Sequence, residues 1–263
     1  MKLDLTGKSF LVTAASKGLG FGVARELLRE GGRVMLSSSN ASHLADAAQR
    51  LWDEKLEDFQ TCVADLKAPQ DLDEMVSQTL KAYGRIDGLV TNCGGPPAGA
   101  PLAITDEQWQ HSFDLVFMSV VRLCKLVVPG MIAQGGGSIL AIVSTTVKQP
   151  ILNLTTSNSI RPGLVGFLRY LANEVADKNV RVNSVAPGRI LTERTQELDA
   201  AFAARTGKTL EEVRALSTEE IPMKRLGDLD EFSPLCAFLL SPRASYITAQ
   251  TICIDGGRVQ SLW

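Results

Sequence analysis

Thr13-Ala14-Ala15-Ser16-Lys17-Gly18-Leu19-Gly20 is the stretch that decides the fold. It follows the apolar run Phe10-Leu11-Val12, which predicts a buried strand, and it leads into a helix that ends near Gly31. Glycines let a backbone approach a ligand closely, and the free N–H groups in the first turn of a helix point at anions. The stretch therefore predicts a phosphate-binding turn, while a simple strand-to-helix connection is the alternative interpretation of these residues alone.

The composition of the 263 residues is that of a globular protein, with 45% hydrophobic and 21% charged residues. A net charge of -2 gives no electrostatic case for binding nucleic acid or an anionic membrane. No signal peptide is expected, and no uncharged apolar run approaches the roughly 20 residues that span a bilayer. We therefore expect a cytoplasmic protein without nucleic-acid or membrane partners.

The cysteines are odd in number, scattered and without a C-x-x-C pair, which favours reduced thiols over disulfides or zinc. They are Cys62, Cys93, Cys124, Cys236 and Cys253. The two histidines, His43 and His111, lack the spacing of metal ligands. No metal site is predicted.

Apolar runs and amphipathic stretches alternate along the chain after the first turn. Strands are predicted at 33–38, 59–64, 86–91, 138–143, 180–185 and 250–254, and helices at 42–54, 71–83, 105–134, 157–177 and 229–240. Residues 192–220 are polar and are predicted to be irregular, with room for a short helix at 209–216. Such alternation builds a parallel sheet covered by helices on both faces, with ligands at the carboxyl ends of its strands.

An ordered set of motifs follows the predicted strands. It comprises the Thr13–Gly20 turn, Asp65, Asn92-Cys93-Gly94-Gly95, Ser144, Asn183, Pro187-Gly188, Ile190-x-Thr192, Arg225-Leu226-Gly227, Tyr246-Ile247-Thr248 and Asp255-Gly256-Gly257. On these motifs the chain resembles the short-chain dehydrogenase/reductase family, and within it the carbonyl reductases related to 3-oxoacyl-acyl-carrier-protein reductase. The resemblance implies a single doubly wound, Rossmann-type α/β domain over residues 1–263, with a parallel sheet of about seven strands and helices on both faces.

The resemblance also implies a nicotinamide cofactor and assigns its contacts. Gly18 and Gly20 would admit the pyrophosphate, and Asp65 would accept a hydrogen bond from the adenine amino group. The riboses would be bordered by Asn92 and Gly94, and the nicotinamide carboxamide by Ile190 and Thr192. The other implied contacts are Thr13, Ser16, Lys17, Leu19, Ser38, Ser39, Asn40, Leu66, Pro187 and Gly188. Taken singly, Asp65 could be a turn residue and Pro187-Gly188 an ordinary loop.

The end of the second predicted strand bears on the choice of cofactor. A carboxylate about 20 residues beyond the glycines binds the ribose 2′-hydroxyl in NAD enzymes and would repel a 2′-phosphate. Here that site reads Ser37-Ser38-Ser39-Asn40, without an acid, and Lys17 lies in the glycine turn. NADP(H) is therefore the preferred cofactor and NAD(H) the alternative, since Lys17 could also be a solvated loop lysine.

The family's catalytic tetrad of Asn, Ser, Tyr and Lys is altered in this sequence. Ser144 stands in its place, but the position of the tyrosine, thirteen residues further on, is Ser157 and that of the lysine is Arg161. The asparagine position falls on Val116. A serine hydroxyl is a much weaker acid than a phenol, and arginine keeps its proton, so neither replaces the missing proton donor.

Hydride transfer itself does not need the tyrosine, because that chemistry belongs to the nicotinamide. We therefore expect a small-molecule substrate whose reduced anion is stable without rapid protonation: a quinone, or less well an activated dicarbonyl. Ser144, Ser157 and Arg161 are the predicted catalytic residues, acting on an oxyanion. Lys148 and Arg189 could add charge, although a surface lysine and a structural ion pair are the simpler interpretations. The alternative function is a catalytically silent NADP(H)-binding protein with a regulatory or partner role.

Two further expectations concern assembly and substrate access. The resemblance implies a homotetramer, and Leu123, Val127 and Met131 form an apolar helix face that could equally be core. Residues 192–220 are predicted to be the substrate lid, with Phe202 and Leu210 as candidate pocket residues.

Overall fold

The computed structural model describes residues 2–262, and its centre is a seven-stranded, fully parallel sheet. The strands are β1 (Ser9–Val12), β2 (Arg33–Ser38), β3 (Phe59–Val63), β4 (Gly88–Thr91), β5 (Gly137–Ile142), β6 (Val180–Pro187) and β7 (Thr251–Ile254). Their order across the sheet is β3-β2-β1-β4-β5-β6-β7. From β1 the chain adds strands toward β3, and from β4 it adds strands in the opposite direction toward β7. The carboxyl ends of β1 and β4 form the crevice in which such sheets bind ligands.

Helices cover both faces of the sheet. They are α1 (Gly18–Arg29), α2 (Ala41–Asp53), α3 (Pro69–Tyr83), α4 (Asp106–Phe113), α5 (Ser119–Ala133), α6 (Thr155–Val175), α7 (Glu193–Thr206), α8 (Leu210–Glu219) and α9 (Leu229–Leu240). One apolar core lies between the sheet and α1, α2 and α9, and a second lies between the opposite face and α3, α5 and α6. The predicted doubly wound α/β fold is confirmed.

The predicted long helix at 105–134 contains an interruption. Between α4 and α5, residues Asp114–Met118 are π-helical, so the backbone there bonds five residues back and bulges. Asp106–Ala133 is, within residues 2–262, the one helical stretch long and apolar enough by composition to cross a membrane. Leu123, Val127 and Met131 are nevertheless at most 3% exposed and belong to the second core. For these three residues the core interpretation is therefore correct.

The prediction of an irregular segment at 192–220 is wrong except for the short helix expected at 209–216, which is confirmed. Two helices, α7 and α8, occupy nearly all of it. Each begins at a capping box, with Thr192 and Thr209 accepting hydrogen bonds from the backbone N–H three residues on. Such caps satisfy N–H groups that would otherwise lack partners at a helix start, and they stabilise short helices of polar composition.

Helix α6 begins at Thr155, two residues before the predicted start, and Pro162 is the eighth of its 21 residues. The two candidate catalytic residues on this helix, Ser157 and Arg161, are four positions apart. They therefore lie on the same face, which is buried.

Candidate active site

A cleft of about 290 Å³ opens at the carboxyl ends of β1, β4 and β6. It is lined by seven of the residues that the sequence assigned to a cofactor: Lys17, Gly18, Leu19, Asn92, Gly188, Ile190 and Thr192. These residues come from three separate parts of the chain, and the fold brings them to the crevice between β1 and β4. Thr13 ties the two strand ends together, because its Oγ1 donates to the carbonyl of Asn92 at 2.7 Å and accepts from the Asn92 N–H at 2.9 Å.

The glycine turn has a backbone that few side chains would permit. Gly18 has a φ of 53°, in the left-handed region, and opens helix α1 at the cleft. Gly20 has a packing role, and its predicted contact to the pyrophosphate stays a prediction. It is buried, and a Cβ there would lie 2.4 Å from the Ala14 carbonyl oxygen and 2.8 Å from Asn92 Nδ2. Gly20 therefore lets α1 pack on the turn, and Gly18 is the glycine that faces the cleft.

Two of the three candidate catalytic residues, Ser144 and Ser157, are linked by hydrogen bonds through a fourth residue, Thr146. Ser144 Oγ accepts from the Thr146 backbone N–H at 3.2 Å, and Thr146 Oγ1 lies 3.1 Å from Ser157 Oγ. One turn along α6, Arg161 Nη1 donates to the carbonyl of Ile142, the last residue of β5, at 3.2 Å. These residues thus lie where β5 ends, next to the cleft.

The guanidinium of Arg161 is the unusual charge among these residues. The residue is 7% exposed, and among residues 2–262 no carboxylate oxygen lies within 4.0 Å of its nitrogens. Its Nη2 donates to Cys93 Sγ at 3.9 Å, and its Nε has no hydrogen-bond partner in that part of the chain. Burying a charge without a partner is costly, so this geometry is suited to a bound or developing anion.

Comparisons with known proteins agree with this architecture. A family model described as Enoyl-(Acyl carrier protein) reductase matches residues 13–258. Dehydrogenase/reductase SDR family member 4 of Homo sapiens is 32% identical over 254 residues, which cover 96% of this chain and 88% of that protein. The chain belongs to the short-chain dehydrogenase/reductase family. In its broad activity it is therefore an NAD(P)-dependent oxidoreductase.

Other members of the short-chain dehydrogenase/reductase family are similar over the full length. The 7alpha-hydroxysteroid dehydrogenase of Escherichia coli (strain K12) is 30% identical over 266 residues, covering 99% of this chain and 97% of the enzyme. The crystal structure of L-sorbose reductase from Gluconobacter frateurii, complexed with NADPH and L-sorbose, superposes with a TM-score of 0.94 at 30% identity and covers all of both chains.

At the adenine end of a family cofactor site, Ser38, the last residue of β2, is held by Ser16 of the glycine turn. Ser16 Oγ donates to Ser38 Oγ at 3.0 Å, and Ser38 Oγ accepts from the Asn40 N–H at 3.3 Å. Asn40 caps helix α2, since its Oδ1 accepts from the His43 N–H at 3.0 Å. Ser39 and Asn40 are exposed. No acid follows β2 here, so the start of α2 and the hydroxyls present donors to an anion.

Asp65 and Leu66 follow β3 at the same edge of the sheet. Asp65 Oδ1 accepts from the Lys67 N–H at 3.0 Å, and Lys67 Nζ lies 3.5 Å from Asp65 Oδ2. This is the turn that the simpler interpretation proposed. The carboxylate is still 45% exposed and can accept a further hydrogen bond, whereas Leu66 is 7% exposed and packs in the second core.

The opposite end of the cleft is formed after β6. Gly188 is required there, because a Cβ would lie 2.6 Å from Asp255 Cβ. Ile190 is buried and pairs with Gly227, while the Thr192 side chain caps helix α7. Pro187 is buried as the last residue of β6. Gly94 is exposed, and nothing lies within 4 Å of the place a Cβ would take, so its contact to a ribose remains a prediction.

Three residues of this site were not identified from the sequence. Thr146 and Cys93 are linked to the candidate catalytic residues only by tertiary contacts. Arg194, in the first turn of α7, reaches across the cleft, where its Nε lies 3.1 Å from the place of a Gly95 Cβ. The signal for Cys93 was present, since it replaces the second asparagine of the family's Asn-Asn-Ala-Gly motif.

The remaining polar candidates have other partners. Arg189 forms an ion pair with the buried Asp199, so the structural interpretation of this arginine is correct. Tyr170, the nearest tyrosine to Arg161 in the sequence, is 65% exposed on α6. Its hydrogen bond to Glu174 raises the pKa of its phenol. Val116, at the asparagine position, is 1% exposed within the π-helical segment and offers no polar group.

Proposed function

We propose that this chain is an NADPH-dependent reductase of quinones or similarly activated carbonyl compounds, in which Ser157 and Arg161 hold the places of the family's tyrosine and lysine. The observation that carries the proposal is the buried guanidinium of Arg161, without a carboxylate partner in residues 2–262, one helical turn from Ser157 and in contact with Cys93 of the cleft. When bound, the nicotinamide supplies a hydride.

The protein's part in this reaction is electrostatic. Arg161 keeps its proton at any working pH, so it stabilises negative charge on a substrate oxygen and does not relay a proton. Ser144 Oγ and Ser157 Oγ can each donate a hydrogen bond to that oxygen. The Ser157 hydroxyl is held for this by Thr146 at 3.1 Å.

The substrate class follows from the missing proton donor. An ordinary ketone yields an alkoxide, which is strongly basic and needs an acid at once. A quinone yields an aromatic hydroquinone anion, which a guanidinium and two hydroxyls can hold until water protonates it. This argument favours quinones, followed by activated dicarbonyls, over simple ketones such as sugars and steroids.

A pocket of about 380 Å³ between the loop before α6 and helices α7 and α8 fits such a substrate. Its apolar lining includes Ile151, Leu154, Phe202, Val213 and Leu216. Phe202 is one of the two pocket residues expected from the sequence, but Leu210, 47% exposed, is not part of the lining. We propose that segment 192–220 is the substrate lid.

A substrate panel tests the reaction. We expect NADPH oxidation with benzoquinones and naphthoquinones, with kcat/KM at least about a hundredfold above that for unactivated ketones, since the tyrosine acid is absent. The decrease in NADPH absorbance, followed in a stopped or a continuous assay, measures kcat/KM for each substrate. NADPH binding by fluorescence quenching without turnover of any quinone would contradict the proposal and support the silent nucleotide-binding alternative.

We propose NADP(H) as the preferred cofactor, with NAD(H) as the weaker one, from the absence of an acid after β2 and from Lys17 in the glycine turn. Replacing Ser38 by Asp places a carboxylate where the 2′-phosphate would lie. We expect the ratio of NADPH to NADH affinity to fall by at least about tenfold, because like charges repel at close range. Binding titrations with both nucleotides measure this ratio.

The control for this variant is Thr61→Asp. Thr61 is exposed in the middle of β3, so the same charge is added to the sheet away from the strand ends. We expect Thr61→Asp to leave the ratio unchanged. An unchanged ratio in Ser38→Asp would contradict the assignment of the 2′-phosphate to this edge.

Assembly as a homotetramer and a cytoplasmic location are proposed from the family resemblance. Support for assembly comes from helices α4 and α5 and the π-helical segment between them, where apolar residues remain partly exposed in the single chain. They include Phe113, Leu115, Phe117, Leu126 and Val128. Sedimentation velocity of the purified chain measures the assembly state.

A further inference from the structure

Cys93 lies in the nucleotide cleft directly after the end of β4. It is half-buried, so a small reagent that enters the cleft can reach its sulfur. Arg161 Nη2 lies 3.9 Å from Cys93 Sγ and donates to it. A residue that lines the cleft thus has its sulfur next to a fixed positive charge.

The surroundings of Arg161 are a second observation, which is independent of the thiol. Arg161 is 7% exposed, its Nε has no hydrogen-bond partner, and no carboxylate pairs with it in residues 2–262. A guanidinium so deeply buried needs a negative charge nearby. Thiolates form preferentially next to arginine, and the thiolate is the nucleophilic form of cysteine.

The other four cysteines lack this setting. Cys62, Cys124 and Cys236 are buried, and burial raises the pKa of each thiol, that of Cys124 to about 12. Cys253 is half-buried like Cys93, but burial and the carboxylate of Asp255 raise its pKa. Cys253 is thus a comparison of similar exposure, in which burial and the Asp255 carboxylate outweigh the opposing effect of the Lys148 cation.

We propose that Cys93 is a reactive thiol which soft electrophiles modify inside the cleft, and that the adduct excludes the nucleotide. The inference goes beyond hydride transfer to a quinone. It rests on only one part of the proposed function, that the cleft is the nucleotide site. The site of labelling can be measured whether or not the protein turns over any substrate.

The step is a conjugate addition. The sulfur forms a bond to one alkene carbon of the electrophile as the carbon–carbon π bond breaks. The electron pair moves onto the conjugated carbonyl oxygen as an enolate, which takes a proton from water, and the thiol's own proton is released to solvent. With a quinone the same addition gives a hydroquinone thioether. No oxidant or reductant is consumed.

N-ethylmaleimide, added in stoichiometric amount to the native full-length chain, tests the proposal through peptide mass spectrometry. We expect the initial labelling rate at Cys93 to exceed that at Cys253 by at least about tenfold, because Cys93 lines the cleft and contacts a guanidinium, whereas burial and the Asp255 carboxylate raise the pKa of Cys253. Saturating NADPH should slow labelling at Cys93 and leave Cys253 unaffected. Equal rates at the two cysteines, or no protection by NADPH, would overturn it.

Two cysteine variants distinguish the effect of the Cys93 adduct on NADPH binding from nonspecific damage by the reagent. Labelled wild-type protein should lose NADPH binding by at least about tenfold, because the adduct fills part of the cleft. Cys253→Ser should behave as the wild type does. Reagent-treated Cys93→Ser should bind NADPH as well as untreated Cys93→Ser. Loss of binding in treated Cys93→Ser would place the damage elsewhere and overturn the proposal.

The role of the guanidinium is tested by Arg161→Gln, with Arg169→Gln as its control. Arg169 lies on the same helix and is exposed. We expect slower labelling of Cys93 in Arg161→Gln and an unchanged rate in Arg169→Gln. A circular dichroism melt checks that each variant is folded. If Arg161→Gln unfolds, the wild-type rates at Cys93 and Cys253 still decide the matter.

Discussion

Arg161→Gln is expected to lower kcat/KM for a quinone by about 10²–10³-fold, the usual loss when one donor to a developing oxyanion is removed. Affinity for NADPH should change by less than about threefold, because the guanidinium lies beside the cleft and not among its lining residues. Initial-rate kinetics and a nucleotide titration on the same preparation measure the two effects.

This variant also separates a catalytic role from a structural one. A buried charge that lacks a partner destabilises a fold, so its removal should leave the melting temperature unchanged or raise it. Arg169→Gln, on the exposed side of α6, should match the wild type in every measurement. Full activity in Arg161→Gln, or activity lost together with stability, would contradict the electrostatic role.

Gly20→Ala is expected to cost about 1–3 kcal/mol in the free energy of unfolding, the usual penalty for overpacking a tight site. Its Cβ would lie 2.4 Å from a backbone oxygen of Ala14, and backbone cannot move aside as a flexible side chain can. Because the displaced turn also carries Gly18, NADPH affinity should fall with stability. Urea denaturation and fluorescence titration measure both quantities.

Gly166→Ala is the matched control for this prediction. Gly166 lies in the interior of α6, and nothing is within 4 Å of the place a Cβ would take. Alanine is the better helix former, so this variant should gain up to about 1 kcal/mol. If Gly20→Ala were as stable as the wild type, the packing role of Gly20 would be wrong.

The fold could be predicted from the sequence because its strands are apolar runs. Runs such as Phe10-Leu11-Val12 are buried on both faces of a parallel sheet, and such runs are long enough to identify without tertiary information. Predicted and observed ends of the strands differ by at most two residues. The polar segment 192–220 was misread, because short helices that begin at capping boxes carry little hydrophobic signal.

The candidate site could be predicted from the sequence only in part. The sequence places Ser144 at a strand end and spaces Ser157 and Arg161 on one helix face. In the structure Thr146 bridges the two serines, and Arg161 contacts the end of β5. The role of Gly20 depends on which backbone atoms surround it. Contacts of Thr146 and Cys93 join residues 11 and 68 positions apart. No local sequence pattern predicts either of these contacts.

The capping boxes at Thr192 and Thr209 make segment 192–220 largely self-sufficient in its local hydrogen bonding. Helix α7 starts on its own box and ends at Gly207, whose φ is 68°, and α8 starts on a second box two residues later. Neither helix depends on the sheet for its termini. Segments of other sequence and length that keep the cleft residues Thr192 and Arg194 should therefore graft into this scaffold as modules, so that substrate range can diverge while the nucleotide cleft stays intact.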